Sequence, residues 1–375
     1  MIEYVEIRNT KREVIGIIDT AQSVIWKTLY YGVGDFEVYA QATARNVELL
    51  AVGNYVTRLD NDEVGIIERI EVTFDILKGR MISATGRFAK SLLERRIIYA
   101  LSGTQNKATI LNGNVETSVR NLVSANMITS SDAKRNISFL SLGVAKNLPA
   151  VIVDKDGKAT QKQVSCDNLL TYSDSLLKEY KYGAKITLSS ADDLKLQYNV
   201  FSGVNRSIDN TDGNEPIIFS QDYDNLIESE YALDTKTEKN VALIGGAGED
   251  LDRFYSLLAE KSGIDRREIF VDAKSINRKY KNDGDTEEKT YSLAEYRKML
   301  NAKGKQDLSA KVRTETFNGK VNLSQGQWVL NRDFFLGDVV TVQDVVLGRY
   351  INSRIIEVTE AQDEKGYSVE AKFEN

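Results

Sequence analysis

The 375-residue chain has no histidine, one cysteine and a formal net charge of -6. Without imidazole there is no Ser-His or Cys-His triad and no histidine metal ligand. Cys166 alone can form neither an internal disulfide nor a thiolate cage, and a buried, inert thiol is expected. The charges are mixed in sign, and the nearest basic cluster, Arg87, Lys90, Arg95 and Arg96, is small against the surface that duplex binding needs.

The length allows two to four domains. Charges in M-I-E-Y-V-E-I-R occupy the place of a signal peptide's apolar core, and no run reaches the ~18 apolar residues of a membrane span, so folding in a cytoplasm is expected. With 18 Tyr and only 2 Pro, and Val, Ile and Thr in alternating runs, the composition favours sheets.

In chain order, strands are expected over Ile2 to Arg8, Glu13 to Ile18, Val24 to Leu29, Gly34 to Ala40, Tyr55 to Leu59, Val64 to Phe74 and Arg80 to Gly86. Asp60-Asn61-Asp62 reads as a hairpin tip, and a short helical or irregular patch, Ala42 to Ala51, interrupts the strands. Closure into a small barrel or sandwich would hide the open edges. The period then changes. Phe88, Leu92, Leu93 and Ile97 predict an amphipathic helix over Arg87 to Tyr99, and Val119, Leu122 and Val123 another over Val115 to Met127.

Val151 to Val164 reads as a hairpin turning at Asp156-Gly157. Asp167 can cap a helix from Asn168 to Tyr180 that Gly183 ends, ahead of strands at Ala184 to Leu188 and Leu194 to Phe201. Ser207 to Pro216 is the best linker, polar and closed by Pro. Ile217 to Leu233 and Val241 to Ile244 are strand-like, Tyr280 to Lys289 is a charged loop, and Leu293 to Ala302 is a helix. From Asp307 the chain is mostly strands, including Val339 to Val342, Tyr350 to Thr359 and Tyr367 to Phe373, the last two joined across Asp363 to Gly366.

Four features invite chemistry, and each has a plainer reading. G-G-A-G-E-D at Gly245 to Asp250 follows a strand as a phosphate-binding turn would, but it lacks Lys-Ser/Thr, and Glu249-Asp250 would repel a pyrophosphate. A tight turn between strands accounts for its glycines. Asp60-Asn61-Asp62-Glu63, Asp154-Lys155-Asp156-Gly157 and Asp283-Gly284-Asp285 lack the twelve-residue calcium spacing and read as hairpin tips and solvated loops. Paired carboxylates could hydrolyse glycans without histidine, yet no motif selects a pair among the 55 acidic residues. Trp26, Tyr30 and Tyr31 could stack on sugars, but such a cluster on a strand reads as core or subunit interface.

Taken together, N-V-A-L-I-G-G-A-G-E-D-L-D-R, G-I-D-R-R-E-I-F-V-D-A-K, L-N-A-K-G-K-Q-D-L and F-F-L-G-D-V-V-T-V resemble a family of siphophage tail proteins, the distal-tail or baseplate hub. G-D-F-E-V-Y near Gly34, V-G-I-I-E-R-I-E near Val64 and G-R-F-A-K-S-L-L-E-R-R-I-I at Gly86 to Ile98 are similar to the family's pattern in the same order. The resemblance implies an α+β, β-rich fold with two small β-barrels and α/β domains between them.

The expected division is a first barrel over 1–86, an α/β domain with amphipathic helices over 87–206, strands leading into or belonging to the second barrel over 207–245, an α/β insertion with the charged loop over 246–306, and the second barrel over 307–375. The resemblance further implies a non-enzymatic homotrimeric ring in the virion tail tip or baseplate, assembled in the host cytoplasm. It would adapt a sixfold tube to a threefold tip and let the tape-measure protein and DNA pass. Implied partners are a tail tube or distal tail protein, the tape measure and tip, spike or other baseplate proteins. No catalytic, cofactor or metal residue is assigned, and no specific nucleic-acid binding or membrane span is expected. The competing functions are a cell-wall glycan hydrolase and a host-surface carbohydrate-binding module.

Subunit contacts are expected at Val64 to Phe74, at Val339 to Val342 and on the helix Arg87 to Tyr99.

Overall fold

Seven N-terminal strands form where alternation predicts them: Val5–Arg8 (β1), Val14–Ile18 (β2), Ser23–Leu29 (β3), Asp35–Gln41 (β4), Tyr55–Thr57 (β5), Gly65–Asp75 (β6) and Gly79–Phe88 (β7). In β3 and β4 every second side chain turns inward, so Val24, Trp26, Phe36, Val38 and Ala40 share one buried face. The computed structural model describes residues 2–102, 105–106, 108–154, 157–249, 252–259, 261–281, 287–321, 328–346 and 348–374. The patch after β4 is a short helix, Ala44–Leu49 (α1), capped by Thr43, whose hydroxyl accepts from the Asn46 amide at 3.1 Å.

The chain divides into two compact units: Met1–Ile152 with Ala159–Glu230 and Phe317–Asn375, and Val153–Lys158 with Tyr231–Thr316. In the first unit the C-terminal hairpin Arg349–Asp363 and Gly366–Glu374 forms as expected, turning at Asp363–Gly366. The outer edge of Arg349–Asp363 pairs with β3, from Glu357 opposite Leu29 to Gln362 opposite Val24. Within the first unit the strand order thus runs Gly366–Glu374, Arg349–Asp363, β3, β4, β7, β6, β5, β1, β2. Two small barrels were expected. The strand-rich blocks share one sheet, and no closed barrel is found among the described residues. Backbone pairing between β3 and Arg349–Asp363, which no local pattern reveals, joins the blocks.

Helices lie where apolar periodicity places them, with altered ends. Arg87 and Phe88 still pair with Ile66 and Gly65, so only Ala89–Arg95 coils, as a 3₁₀ helix shorter than the one expected over Arg87 to Tyr99. Val115–Val123 (α2) is capped by Asn114 and passes into a π turn, Ser124–Ile128. In Leu169–Glu179 (α3) the cap is Asn168 rather than Asp167: its side chain accepts from the Thr171 amide. Gly183 does not end α3; it opens the strand Gly183–Leu188. The stop is a Schellman motif with Lys181 at φ +58°, its amide donating to Lys178 and that of Tyr182 to Leu177.

Val119, Leu122, Leu176 and Leu177 pack with Ile186 and Tyr198 of the small sheet Leu140–Leu142, Leu196–Phe201, Gly183–Leu188. The loop Ser207 to Pro216 lies within the first unit, tied down by Asn210 and Asn214, whose side chains bond the backbone of Ser207 and Asn205. Val339–Asp344, expected to offer an edge, is interior to its sheet: Arg349–Asp363 pairs on one side, and Asn205–Arg206 and Ile218–Ser220 pair on the other.

The second unit carries a three-stranded sheet with Val241–Gly245 at its centre, Tyr255–Ala259 antiparallel and Glu268–Asp272 parallel. Leu293–Ser309 (α4) covers one face, burying Tyr296 and Leu300 against Ala242, Ile244 and Val271. The helix continues past the expected end at Ala302 through Asp307, where strands were expected. Gly304 lets it approach: a Cβ there would stand 2.7 Å from Ile244 and 3.0 Å from Leu258. Of the charged loop Tyr280 to Lys289, residues 282–286 lie outside the described residues.

Candidate functional site

The feature that dominates the first unit is the joint between its two ends. Arg58, just after β5, reaches Glu360 on Arg349–Asp363 with two hydrogen bonds, Nη1 to Oε1 at 3.1 Å and Nη2 to Oε2 at 3.0 Å. Tyr367 donates its hydroxyl to Glu360 Oε2 at 2.5 Å, and Arg58 also holds Asp60. The guanidinium lies 5.4 Å from the Trp26 ring. Such a site fixes geometry, because burial makes each unmade bond costly. Tyr30 makes a second node: its hydroxyl donates to the Lys181 carbonyl at 2.9 Å, and its ring lies so close that a Cβ at Gly183 or Gly337 would collide with it. The aromatic cluster of Trp26 and Tyr30 is therefore core, both side chains being fully buried.

Beside the joint lies a cavity of about 440 Å³ lined by Asp62, Glu63, Lys146, Lys185, Phe201 and Asp338, among others. Two of these three carboxylates, Asp62 and Asp338, are structurally engaged. Asp62 is held by Lys185 at 2.6 Å, while Asp338 accepts from the Val204 and Phe335 amides and from Arg206. Burial nonetheless pushes Asp338 upward. Glu63 is enclosed, its Oε2 has no hydrogen-bond partner, and burial pushes it up to about 7, against the opposing pull of Lys185 and Lys90. The arrangement offers a buried acid with a raised pKa beside committed ion pairs. Glycoside hydrolysis instead needs two free carboxyls flanking a bond.

The sequence motifs resolve into turns. Gly246 to Glu249 opens the connection from Val241–Gly245 to its antiparallel partner Tyr255–Ala259, with Gly248 at φ +107° and the Gly246 amide donating to Phe254; Asp250 lies outside the described residues. Asp60 and Asp62 are spent on Arg58 and Lys185. The Gly157 amide donates to the Asp154 carbonyl, and residues 155 and 156 lie outside the described residues, as do Asp283, Gly284 and Asp285. Among the described residues no group of three or more Cys, Asp or Glu is placed to hold an ion.

Cys166 is exposed rather than buried, on a turn residue at φ +63° that takes its side chain away from the core. Two members of the basic cluster are neutralised locally, Arg87 by Glu68 and Glu94, and Lys90, itself buried, by Asp174, while Arg96 donates to the Arg135 carbonyl. Sequence reasoning missed Arg58 and Glu360. They stand 302 positions apart, and only the unusual Arg at the end of an apolar strand hinted at them.

A β-rich sheet joined end to end, with α/β segments between its blocks, is an architecture shared with solved phage tail proteins. The fold is similar to the tail protein from Neisseria meningitidis MC58 (TM-score 0.57, 12% identity, covering 99% of this chain and 96% of that one). It is equally similar to the 43 kDa tail protein of prophage MuSo2 from Shewanella oneidensis (TM-score 0.57, 10% identity, 99% and 98% covered). No curated protein matches the sequence. Residues 4–373 match the model of the Siphovirus ReqiPepy6 Gp37-like protein family, and the chain belongs to that family of siphovirus tail proteins. The resemblance carried by the motifs holds at that level.

Proposed function

We propose that the chain is a non-enzymatic hub of the tail tip or baseplate, assembling as a homotrimeric ring that joins a sixfold tube to a threefold tip. The observation that carries this reading is the edge-to-edge union of the N- and C-terminal blocks along β3, locked by Arg58 and Glu360. Each chain thereby holds two strand-rich blocks in one fixed relation, and three chains would offer six positions. The ring would contact a tail tube or distal tail protein above and tip or spike proteins below, with the tape measure and DNA passing through it. A net charge of -6 suits a conduit that must not retain DNA. Assembly in the host cytoplasm and residence in the virion tail follow from the same reading.

Light scattering on the purified protein across a concentration series tests it. A species of about 126 kDa, three times the 42.0 kDa chain, is expected, with rings in electron micrographs. A monomer at every concentration would overturn it.

A further inference from the structure

β6 is covered along its first half only. Tyr55 and Val56 of β5 pair with Ile66 and Gly65, whereas Arg69–Asp75 pairs with β7 on one side and with no strand on the other among the described residues. A long bare edge of this kind is one that proteins ordinarily blunt or cover. On its core side the row Ile70, Val72 and Phe74 is apolar, alternating with Arg69, Glu71, Thr73 and Asp75, and Ile76 and Leu77 follow in the turn; the five apolar side chains are between 38% and 93% exposed.

The first two are not stray surface residues. Ile70 stands opposite Ala84 and Val72 opposite Ile82, both fully buried, so the arm continues the core face of the sheet past its cover. At roughly 100 Å² of exposed surface each, five such side chains reach about 500 Å², near the upper limit for a patch on a monomer. Matched by an equal area on a partner, that approaches the roughly 1,000 Å² at which specific interfaces begin.

The same chain carries a fitting counterpart. β2 ends the sheet, with no strand on its outer edge among the described residues and with Val14, Ile15 and Ile17 exposed. Within one chain the two edges are not paired among the described residues, and β5 and β1 lie between β6 and β2.

We infer that the β6–β7 arm is a self-docking surface, occupied by a second copy of this chain that adds its β2 edge to the bare edge of Arg69–Asp75. The inference rests on the ring reading above and deepens it. Backbone pairing would supply the affinity, and the apolar row Ile70, Val72, Phe74 the register. An interface between two different surfaces of the same chain closes into a ring when its rotation allows.

Disulfide trapping tests the contact. In a Cys166→Ser background, the chain carrying both Val14→Cys and Val72→Cys is oxidised and run without reductant. Covalent multimers up to three chains are expected, with each single-cysteine chain remaining at 42.0 kDa. In parallel, Phe74→Asp with Leu77→Asp, both on exposed positions, is expected to reduce the oligomer to the mass of one chain with unchanged far-ultraviolet circular dichroism.

A wild-type trimer that neither cross-links nor responds to the double substitution overturns this inference and leaves the hub standing. Rapid hydrogen exchange at Arg69–Asp75 within the trimer would do the same, assigning the arm to another tail protein. A wild-type chain that is monomeric throughout overturns both.

Discussion

Arg58 and Glu360, 302 residues apart in sequence, meet in a two-pronged ion pair whose side chains are only 1% and 3% exposed. The pair clamps the loop after β5 to the strand that carries the C-terminal block. Removing one partner leaves the other charge buried without compensation, so Arg58→Ala is expected to cost about 3–5 kcal/mol. Replacing both, Arg58→Met with Glu360→Leu, should recover most of that loss. Urea denaturation of the two variants measures the difference, and equal destabilisation would show that the pair is not acting as a unit.

Glu63 predicts a pH dependence. Its folded pKa, pushed up to about 7 by burial, lies above the ordinary 4.5, so the folded state holds a proton that the unfolded chain releases. Stability from this group is intact below about pH 4.5 and is lost as pH rises towards and through 7, by about 3 kcal/mol in all. Glu63→Gln keeps the neutral shape. Its stability should match wild type at pH 4.5 and exceed it at pH 8. A constant difference across that range would count against the buried acid.

Lys181 ends α3 at φ +58°, a conformation that costs a side chain with a Cβ and suits glycine. Lys181→Gly is therefore expected to stabilise the first unit by about 0.5–1 kcal/mol despite the freedom that glycine adds to the unfolded chain. The shift in the thermal midpoint reads it directly.

Gly304 presses α4 onto its sheet, with room for no more than a hydrogen on the facing side. Gly304→Val should overpack the contact with Ile244 and Leu258, costing about 1–3 kcal/mol in the second unit. Ser292→Ala, which removes the capping box made with Glu295, should cost about 1 kcal/mol without disturbing that packing. Calorimetry of the pair separates the two effects.

Much of this was written locally. Strand alternation from Val5 to Phe88, the apolar stripes of α2 and α3, and the turns at Asp363–Gly366 and Gly245 to Glu249 all depend on neighbours a few residues apart. Such signals survive in a bare sequence because side-chain period and backbone period must agree. Element ends were read less well. Asn168 displaced Asp167 as a cap and Lys181 took the place expected of a glycine, because capping turns on single dihedral angles rather than on a repeated pattern.

By itself the sequence determined most of the segments that become strands and helices, the absence of imidazole and internal-disulfide chemistry, and the collinear motifs that mark a tail protein. Only the tertiary structure decided that both ends share one sheet, that Val339–Asp344 lies inside it, that Cys166 faces outward, and that Glu63 sits enclosed beside Asp62 and Lys185. The reason is physical. Edge pairing and burial are set by backbone groups and volumes brought together across hundreds of residues, and the hydrogen bonds of one strand carry no record of which edge they will meet.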